Sequence, residues 1–129
     1  MSTGTRSNKI VLSVDDMPEV LLGIKAALRG HYKVFGVTNA EDALDFISKQ
    51  NPHLFVLDIE MPYIDGYDLA TIIRMDKKHK ATPIIFLTGH STRGHVLSSM
   101  QAGGNDFIIK PINHSLFLAK VTTFLEKKS

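Results

Sequence analysis

Short apolar runs alternate with stretches of helical periodicity from residue 10 to the end of the chain. Runs of this length, rich in Val, Ile, Leu and Phe, predict strands that are buried on both faces. Between and after them, apolar residues recur at the spacing of one helical face, which predicts five helices. The predicted strands are residues 10–14, 32–37, 54–57, 83–87 and 107–109, and the first and last helices are residues 18–29 and 116–125.

A strand followed by a helix, repeated five times, is typical of βαβ units. Because the crossovers of such units are right-handed, the strands form one parallel sheet with helices on both faces. The sequence therefore predicts an α/β fold with a doubly wound, five-stranded parallel sheet and five helices.

Residues typical of helix ends support three of these boundaries. Pro18 suits a first helical turn, Gly30 suits the position after a helix, and Asn39 suits an N-cap.

The fourth helix has the weakest pattern. Its apolar residues are Val96, Leu97 and Met100, and Gly94 inside it costs about 1 kcal/mol relative to Ala. We expect this thinly packed helix to be mobile.

Composition predicts one small globular domain. The chain has 129 residues, of which 43% are hydrophobic, and we expect no membrane span. Its net charge is only +2 and its Lys and Arg residues are scattered, so we do not expect it to bind nucleic acid. Residues 1–8 are small and polar, unlike a signal peptide, and are expected to be disordered, which leaves residues 9–128 as the domain. The absence of cysteine excludes disulfides, thiolate catalysis and Cys-based zinc sites, and fits a reducing cytoplasm.

Polar residues with distinct chemistry follow four of the predicted strands. Asp15 and Asp16 follow the first, Asp58 the third, Thr88 the fourth and Lys110 the fifth. In open α/β sheets the carboxyl ends of the strands form the ligand-binding crevice, so these side chains are expected to meet. Two carboxylates about 4 Å apart repel each other by roughly 4 kcal/mol at an effective dielectric near 20, and Mg²⁺ would remove that cost. The set predicts a phosphoryl-transfer site with Asp58 as the nucleophile.

Each residue also has a plain structural interpretation. Asp15 and Asp16 could cap the helix at Pro18, Asp58 could be a turn residue, and Lys110 alone could be a surface charge. The joint arrangement favours the site over these separate interpretations. The six histidines show no metal-ligand spacing and are expected at the surface.

Four segments resemble the receiver domains of two-component response regulators, the CheY-like family. They are VDDMP (residues 14–18), LDIEMPYIDG (57–66), PIIFLTG (83–89) and AGGNDFIIKP (102–111), in the order and at the spacing of the family. The resemblance covers residues 9–127. It implies a flavodoxin-like sheet with strand order 2-1-3-4-5.

The resemblance also implies the chemistry of the site. Asp58 would accept a phosphoryl group from a histidine kinase or a histidine phosphotransfer protein. Mg²⁺ would be bound by Asp16, Asp58 and the backbone carbonyl of Glu60, with Asp15 acting through water. Thr88 and Lys110 would hold the phosphoryl oxygens.

A conformational switch is implied as well. Phe107 would be the switch aromatic that moves with Thr88, although it lacks the hydroxyl of the more frequent tyrosine. The bond between Lys110 and Pro111 is expected to be cis. Glu60 and His90 stand at positions that vary in the family and tune dephosphorylation.

The output implied by the resemblance is a surface formed by the fourth helix, the fifth strand and the fifth helix. Its partner or output domain is not identified, and the residues leave open whether the chain forms a homodimer. They also leave open whether it is a stand-alone receiver or a fragment of a longer regulator or hybrid kinase. It would be a signalling domain that at most catalyses its own phosphorylation and dephosphorylation.

Two other functions remain as alternatives. A flavodoxin-like cofactor binder needs a Ser/Thr/Gly-rich phosphate loop after the first strand, where this chain has Asp15 and Asp16. An aspartate-nucleophile phosphatase of the haloacid-dehalogenase type needs a second acid two residues after its nucleophile. Glu60 stands there, but the chain has no cap domain.

Overall fold

The computed structural model describes residues 7–89 and 93–126, and of residues 93–96 only the backbone. The first six of the eight residues expected to be disordered lie outside this range. Ser7 lies within it, and its backbone N–H donates to the carbonyl of His31 at 3.0 Å. The elements are β1 (Ile10–Val14), α1 (Pro18–Leu28), β2 (Lys33–Val37), α2 (Ala40–Lys49), β3 (Leu54–Asp58), α3 (Gly66–Met75), the 3-10 helix η1 (Lys77–His79), β4 (Ile84–Thr88), α4 (Arg93–Gln101), β5 (Asp106–Ile109) and α5 (His114–Leu125).

The five strands form one parallel sheet in the order β2-β1-β3-β4-β5. This confirms the predicted α/β fold and its strand order. The differences lie at the ends of elements, where β4 runs to Thr88 and α5 begins at His114, two residues before its first strongly apolar position. The helix η1 was not predicted, because its sequence Lys77–His79 carries no apolar periodicity.

The core has two layers, one on each face of the sheet. One layer packs α2 and α3 against the sheet, and the other packs α1 and α5. The central strand β3 contributes to both layers, and all five of its residues are buried. Burial on both faces explains why this segment is an uninterrupted apolar run up to its last residue, Asp58.

Side-chain caps fix the starts of several helices. Asn39 Oδ1 accepts from the N–H of Asp42 at 2.7 Å, as predicted for α2. Asp65 caps α3 in the same way. Gly30, after α1, has a φ of +83°, a conformation that glycine adopts without strain.

The helix α4 is present, and its two described large apolar side chains are largely exposed. Leu97 is 56% exposed and Met100 is 50% exposed. Among the described side chains of this helix, residues 97–101, only Ser99 is buried. Within the described parts of the chain, no helix has the length and apolarity needed to cross a membrane.

One histidine contradicts the expectation that all six lie at the surface. His79 is 1% exposed, and its ring meets the ring of Phe55 edge-on with the centroids 5.1 Å apart. Its Nδ1 lies 2.9 Å from the hydroxyl of Thr82. The prediction was wrong because η1 packs this ring against the sheet, a tertiary contact that leaves no local pattern. His90 and the side chain of His95 lie outside the described residues.

Burial of His79 makes the stability of the domain sensitive to acid. Burial lowers the pKa of the His79 imidazole below its usual 6.5. The unfolded chain therefore binds more protons below about pH 6.5, and this histidine makes folding less favourable as the pH falls through that range. The free energy of unfolding, measured by urea titration, should fall between about pH 7.5 and pH 5.5. We expect this fall to be smaller in His79→Gln than in the unchanged chain.

The exposed His31 offers a matched control. His31→Gln should keep the pH dependence of the unchanged chain. An equal pH slope in His79→Gln and the unchanged chain would contradict this account of His79.

Candidate functional site

The carboxyl edge of the sheet brings together the polar residues that follow the strands. Asp58 is the last residue of β3 and is paired across the sheet with Leu87 of β4. Asp15 follows β1, and its backbone N–H donates to the carbonyl of Val37 at the end of β2. The parallel register thus places the residues after neighbouring strands side by side, as the sequence predicted.

Three carboxylates lie at this edge within the distance of a shared metal ion. Asp15, Asp16 and Asp58 each offer an oxygen, and these oxygens lie within 4.8 Å of one another. Asp15 and Asp58 are buried, whereas Asp16 is exposed. The cluster therefore has a buried floor and an open side.

A single ammonium group lies between the two buried acids. Lys110 Nζ is 3.0 Å from Asp15 Oδ2 and 3.1 Å from Asp58 Oδ1. The structure thereby places Lys110, which the sequence predicted at the same edge as the acids, in direct contact with both carboxylates. A buried charge without such a partner would be strongly unfavourable.

The Asp58 carboxyl nevertheless holds its proton more tightly than usual. Burial and the negative charge of Asp15 raise the pKa of Asp58 from 3.8 to about 6. Hydrogen bonds and charge from Lys110, and the N–H of Glu60, act in the opposite direction but do not cancel this rise.

Lys110 responds to the same environment. Burial acts to lower the pKa of its ammonium group, but hydrogen bonds and the charges of Asp15 and Asp58 outweigh burial, so that the pKa is raised. Lys110 therefore remains a cation, in contact with both buried acids.

The loop between β3 and α3 closes tightly behind Asp58. The N–H of Gly66 donates to the carbonyl of Ile59 at 2.9 Å. A Cβ at Gly66 would lie 2.3 Å from the carbonyl oxygen of Asp58, so no larger residue fits there without moving the backbone of Asp58. Sequence reasoning used Gly66 only as part of the family motif and missed this steric role, because the contact depends on how the loop folds back.

Tyr63 in the same loop has a left-handed backbone and a fully exposed ring. Its φ is +69°, which is uncommon for a bulky residue. Sequence reasoning did not single out this residue, and no local signal marks its conformation.

Thr88 and Lys110 are joined through the backbone. Thr88 is buried at the end of β4, and its carbonyl accepts from the N–H of Lys110 at 2.8 Å. Phe107 pairs with Phe86 across the sheet and is half-buried against the core. The peptide bond between Lys110 and Pro111 is cis.

Of the remaining predicted positions, Glu60 is exposed at the mouth of the cluster, and its N–H lies 3.4 Å from Asp58 Oδ1.

The capping interpretation of the first two acids fails. The N-cap position of α1 is Met17, and no side chain caps this helix. Asp15 Oδ1 instead accepts the N–H of Met17 at 2.9 Å, which fixes the carboxylate while its other oxygen faces Lys110.

The donor set fits Mg²⁺. Oxygen ligands from one or two carboxylates, with the remaining positions left to water, are what this ion prefers. Burial and the negative charge of Asp15 raise the pKa of Asp58, and a divalent cation would offset the repulsion between the two acids. The exposed side of the cluster, at Asp16, leaves room for water ligands.

Comparison with known proteins agrees with this fold. A family model described as the response regulator receiver domain matches residues 11–122. The chain is 32% identical over 118 residues to the sensory transduction protein BceR of Halalkalibacterium halodurans, a match covering 91% of this chain and 50% of BceR. The chain thus spans about half the length of curated relatives such as BceR.

Two solved structures have the same fold. The BeF3-activated receiver domain of DrrB, a response regulator of Thermotoga maritima, has a TM-score of 0.86 and 30% identity, covering 94% of this chain and 100% of that chain. The receiver domain of the sensor histidine kinase PA1611 of Pseudomonas aeruginosa, solved with a magnesium ion in its active-site cleft, has a TM-score of 0.84 and 27% identity, covering 94% of this chain and 100% of that chain.

The chain belongs to the response regulator receiver domain family. It is a signalling domain of two-component systems, as its sequence motifs indicated.

The raised pKa of Asp58 has a measurable consequence for stability. Because the folded state binds this proton more tightly, Asp58 favours folding below about pH 4, and this contribution is lost as the pH rises through about 6. Asp58→Asn removes an ionised, poorly solvated carboxylate. With a chelator present at about pH 7.5, we expect it to raise the unfolding free energy by roughly 1–3 kcal/mol.

The same comparison at about pH 4.5 should show a much smaller gain. Asp45→Asn, which alters an exposed carboxylate on α2, should show no such pH-dependent gain. If Asp58→Asn were less stable than the unchanged chain at about pH 7.5 without metal, the buried-charge account would be wrong.

Proposed function

We propose that this chain accepts a phosphoryl group on Asp58 in a Mg²⁺-dependent reaction, from a histidine kinase or a histidine phosphotransfer protein. The observation that carries the proposal is the pair of buried carboxylates, Asp15 and Asp58, that shares one ammonium group. Such a pocket binds a phosphoryl group well because it combines a nucleophile with fixed positive charge.

The transfer forms one bond and breaks one. A carboxylate oxygen of Asp58 attacks the phosphorus, a P–O bond forms, and the P–N bond to the donor histidine breaks. Lys110 stabilises the charge on the phosphoryl oxygens. With a pKa of about 6, Asp58 is mostly ionised at neutral pH and can attack without a separate base.

The metal would be held by this chain's own oxygens. Asp16, Asp58 and the backbone carbonyl of Glu60 would bind Mg²⁺ directly, and Asp15 would act through water. The bound ion supplies positive charge that offsets the acids and the incoming phosphoryl group. Before it binds, the ammonium group of Lys110 is in contact with both buried acids.

A protein donor would dock beside the site. A groove of about 410 Å³ adjoins Lys110 and Pro111, and its walls are mainly apolar. It runs along α1, past Met17, Val20 and Gly23. Apolar surface next to a reactive group suits a helical partner that carries the phosphohistidine.

The output would be a change in the surface formed by α4, β5 and α5. Thr88 would move toward the phosphoryl group, and Phe107 would follow it inward. This surface exposes large apolar side chains, which suits contact with a downstream partner or an output domain: Leu97, Met100, Ile109 and Leu116.

The two alternative functions gain no support. The family match covers residues 11–122 and extends over all of the predicted site, and it favours neither a flavodoxin-like cofactor binder nor a phosphatase. Glu60, which would have to act as the acid of a phosphatase, is exposed.

The proposal is tested by incubating the chain with acetyl phosphate and Mg²⁺ and measuring its intact mass. We expect a gain of one phosphoryl group that requires Mg²⁺ and disappears in a chelator. Asp58→Asn should gain none, because it lacks the nucleophile.

Asp45→Asn is the matched control and should be phosphorylated like the unchanged chain. Lys110→Ala should be phosphorylated much more slowly, by about a hundredfold or more, because it loses the fixed charge on the phosphoryl oxygens. A phosphoryl adduct on Asp58→Asn, or none on the unchanged chain, would overturn the proposal.

A further inference from the structure

The edge of the sheet opposite the acids holds a second polar cluster, centred on Arg74. This residue lies in the last turn of α3, and its guanidinium group donates five hydrogen bonds. The acceptors belong to two connections that follow it in the chain, one between α3 and β4 and the other between α4 and β5. They are the carbonyls of His79, Thr82 and Gly103 and the side-chain oxygen of Asn105.

The contact with Gly103 is the tightest part of this cluster. Arg74 Nη2 and Nε donate to the carbonyl of Gly103 at 2.7 and 3.2 Å. Gly103 has a φ of +101°, and a Cβ there would lie 3.1 Å from Arg74 Cγ. The loop that follows α4 is therefore shaped to bring its backbone against this arginine.

The same loop is fixed from two further sides. Asn105 makes two hydrogen bonds with Ile84 at the start of β4. Its Oδ1 accepts from the backbone N–H of Ile84 at 2.9 Å, and its own backbone N–H donates to the carbonyl of Ile84 at 2.8 Å. A Cβ at Gly104 would lie 2.5 Å from the ring of Phe86, so the backbone packs directly on that ring. The carboxyl end of α4 thus joins a rigid part of the molecule.

The described apolar side chains of α4 pack less tightly than the loop that follows the helix. Leu97 and Met100 are half exposed, although they are the large apolar side chains described in this helix. The helix has nine residues and is therefore about 13 Å long. Its amino end follows the segment that contains Thr88, on the side of the proposed phosphoryl site.

We propose that Arg74 is a positioning residue that anchors the carboxyl end of α4, so that the helix pivots about this end when the site is phosphorylated. This rests on the proposed function for the trigger, but the anchor itself exists in the resting domain. Fixing one end of a thinly packed helix converts a small displacement at the other end into a tilt of its exposed face. Arg74 would thereby determine how the surface at Leu97 and Met100 responds.

The anchor is tested by amide hydrogen exchange on the full chain, comparing Arg74→Gln with Arg29→Gln. Three reporter amides, those of Ala102, Gly103 and Gly104, donate to carbonyls near the end of α4 at 2.9–3.1 Å. In Arg74→Gln we expect these amides to exchange roughly ten to a hundred times faster, since hydrogen bonds from a charged group are lost. Amides of β1 and β3 should keep their rates.

Arg29 is the matched control because it is exposed at the end of α1, and Arg29→Gln should change none of these rates. An equal acceleration throughout the domain in Arg74→Gln would show that Arg74 contributes only global stability, and would overturn the anchor. If Arg74→Gln does not fold, Gly103→Ala tests the same contact from the other side and should give the same localised acceleration.

The pivot is tested by adding Mg²⁺ and beryllium fluoride, a mimic of the phosphoryl group. In the unchanged chain, amides in the first half of α4 should change their exchange rates, while the three reporter amides change less than about twofold. In Arg74→Gln this contrast between the two ends should disappear. Equal changes at both ends of α4 in the unchanged chain would overturn the pivot.

The two proposals fail separately. A chain that responds nowhere to beryllium fluoride and gains no phosphoryl group would contradict the proposed function and, with it, the pivot. The anchor would then still be decided by the exchange rates of the resting chain.

Discussion

Two buried carboxylates, Asp15 and Asp58, share the single ammonium group of Lys110, and the surrounding structure is arranged to maintain this contact. Neither acid could be buried without a cation, and Lys110 could not be buried without the acids. Each of the three residues follows or ends a different strand, so the contact exists only when the parallel sheet has its correct order. The loop at Gly66, which admits no side chain, keeps the backbone of Asp58 in place.

Burial and the negative charge of Asp15 raise the pKa of Asp58 to about 6, although Lys110 acts in the opposite direction. Binding of a divalent cation beside the two acids would favour the ionised form of Asp58. A phosphoryl group would bring further negative charge into the same pocket, and it would do so beside Lys110 and Thr88. Such a ligand biases the loops around the site by binding one of their arrangements more tightly than the other.

The sequence was sufficient to predict the fold and the meeting of Asp15, Asp58 and Lys110 at one edge of the sheet. Buried parallel strands leave uninterrupted apolar runs, and the residues after such strands must meet at one edge, so Asp15, Asp58 and Lys110 could be placed together before any coordinates. The burial of His79 and the hydrogen bonds of Arg74 could not be predicted. His79 packs against Phe55, but it lies in a segment whose sequence has no apolar periodicity. Arg74 donates to the carbonyl of Gly103, which is 29 residues away in the sequence. Backbone acceptors carry no sequence signal, so contacts of this kind emerge only from the assembled structure.

The two edges of the sheet thus hold residues with different roles. The carboxyl edge holds the charged residues that would react, and the amino edge holds Arg74, which joins α3 to the loop after α4. The helix between them packs thinly, with Leu97 and Met100 half exposed. A helix held at one end and loose along its body is suited to transmit a change at Thr88 to a partner.

The central claim is that Asp58, among the thirteen acidic residues of the chain, is the one that becomes an acyl phosphate. Reduction of the phosphorylated chain with borotritide, followed by peptide mapping, labels the residue that carried the phosphoryl group, because an acyl phosphate is reduced to an alcohol. The account predicts label in the peptide containing Asp58, at that residue alone. Label at Asp15, Asp16 or any other acid would contradict it.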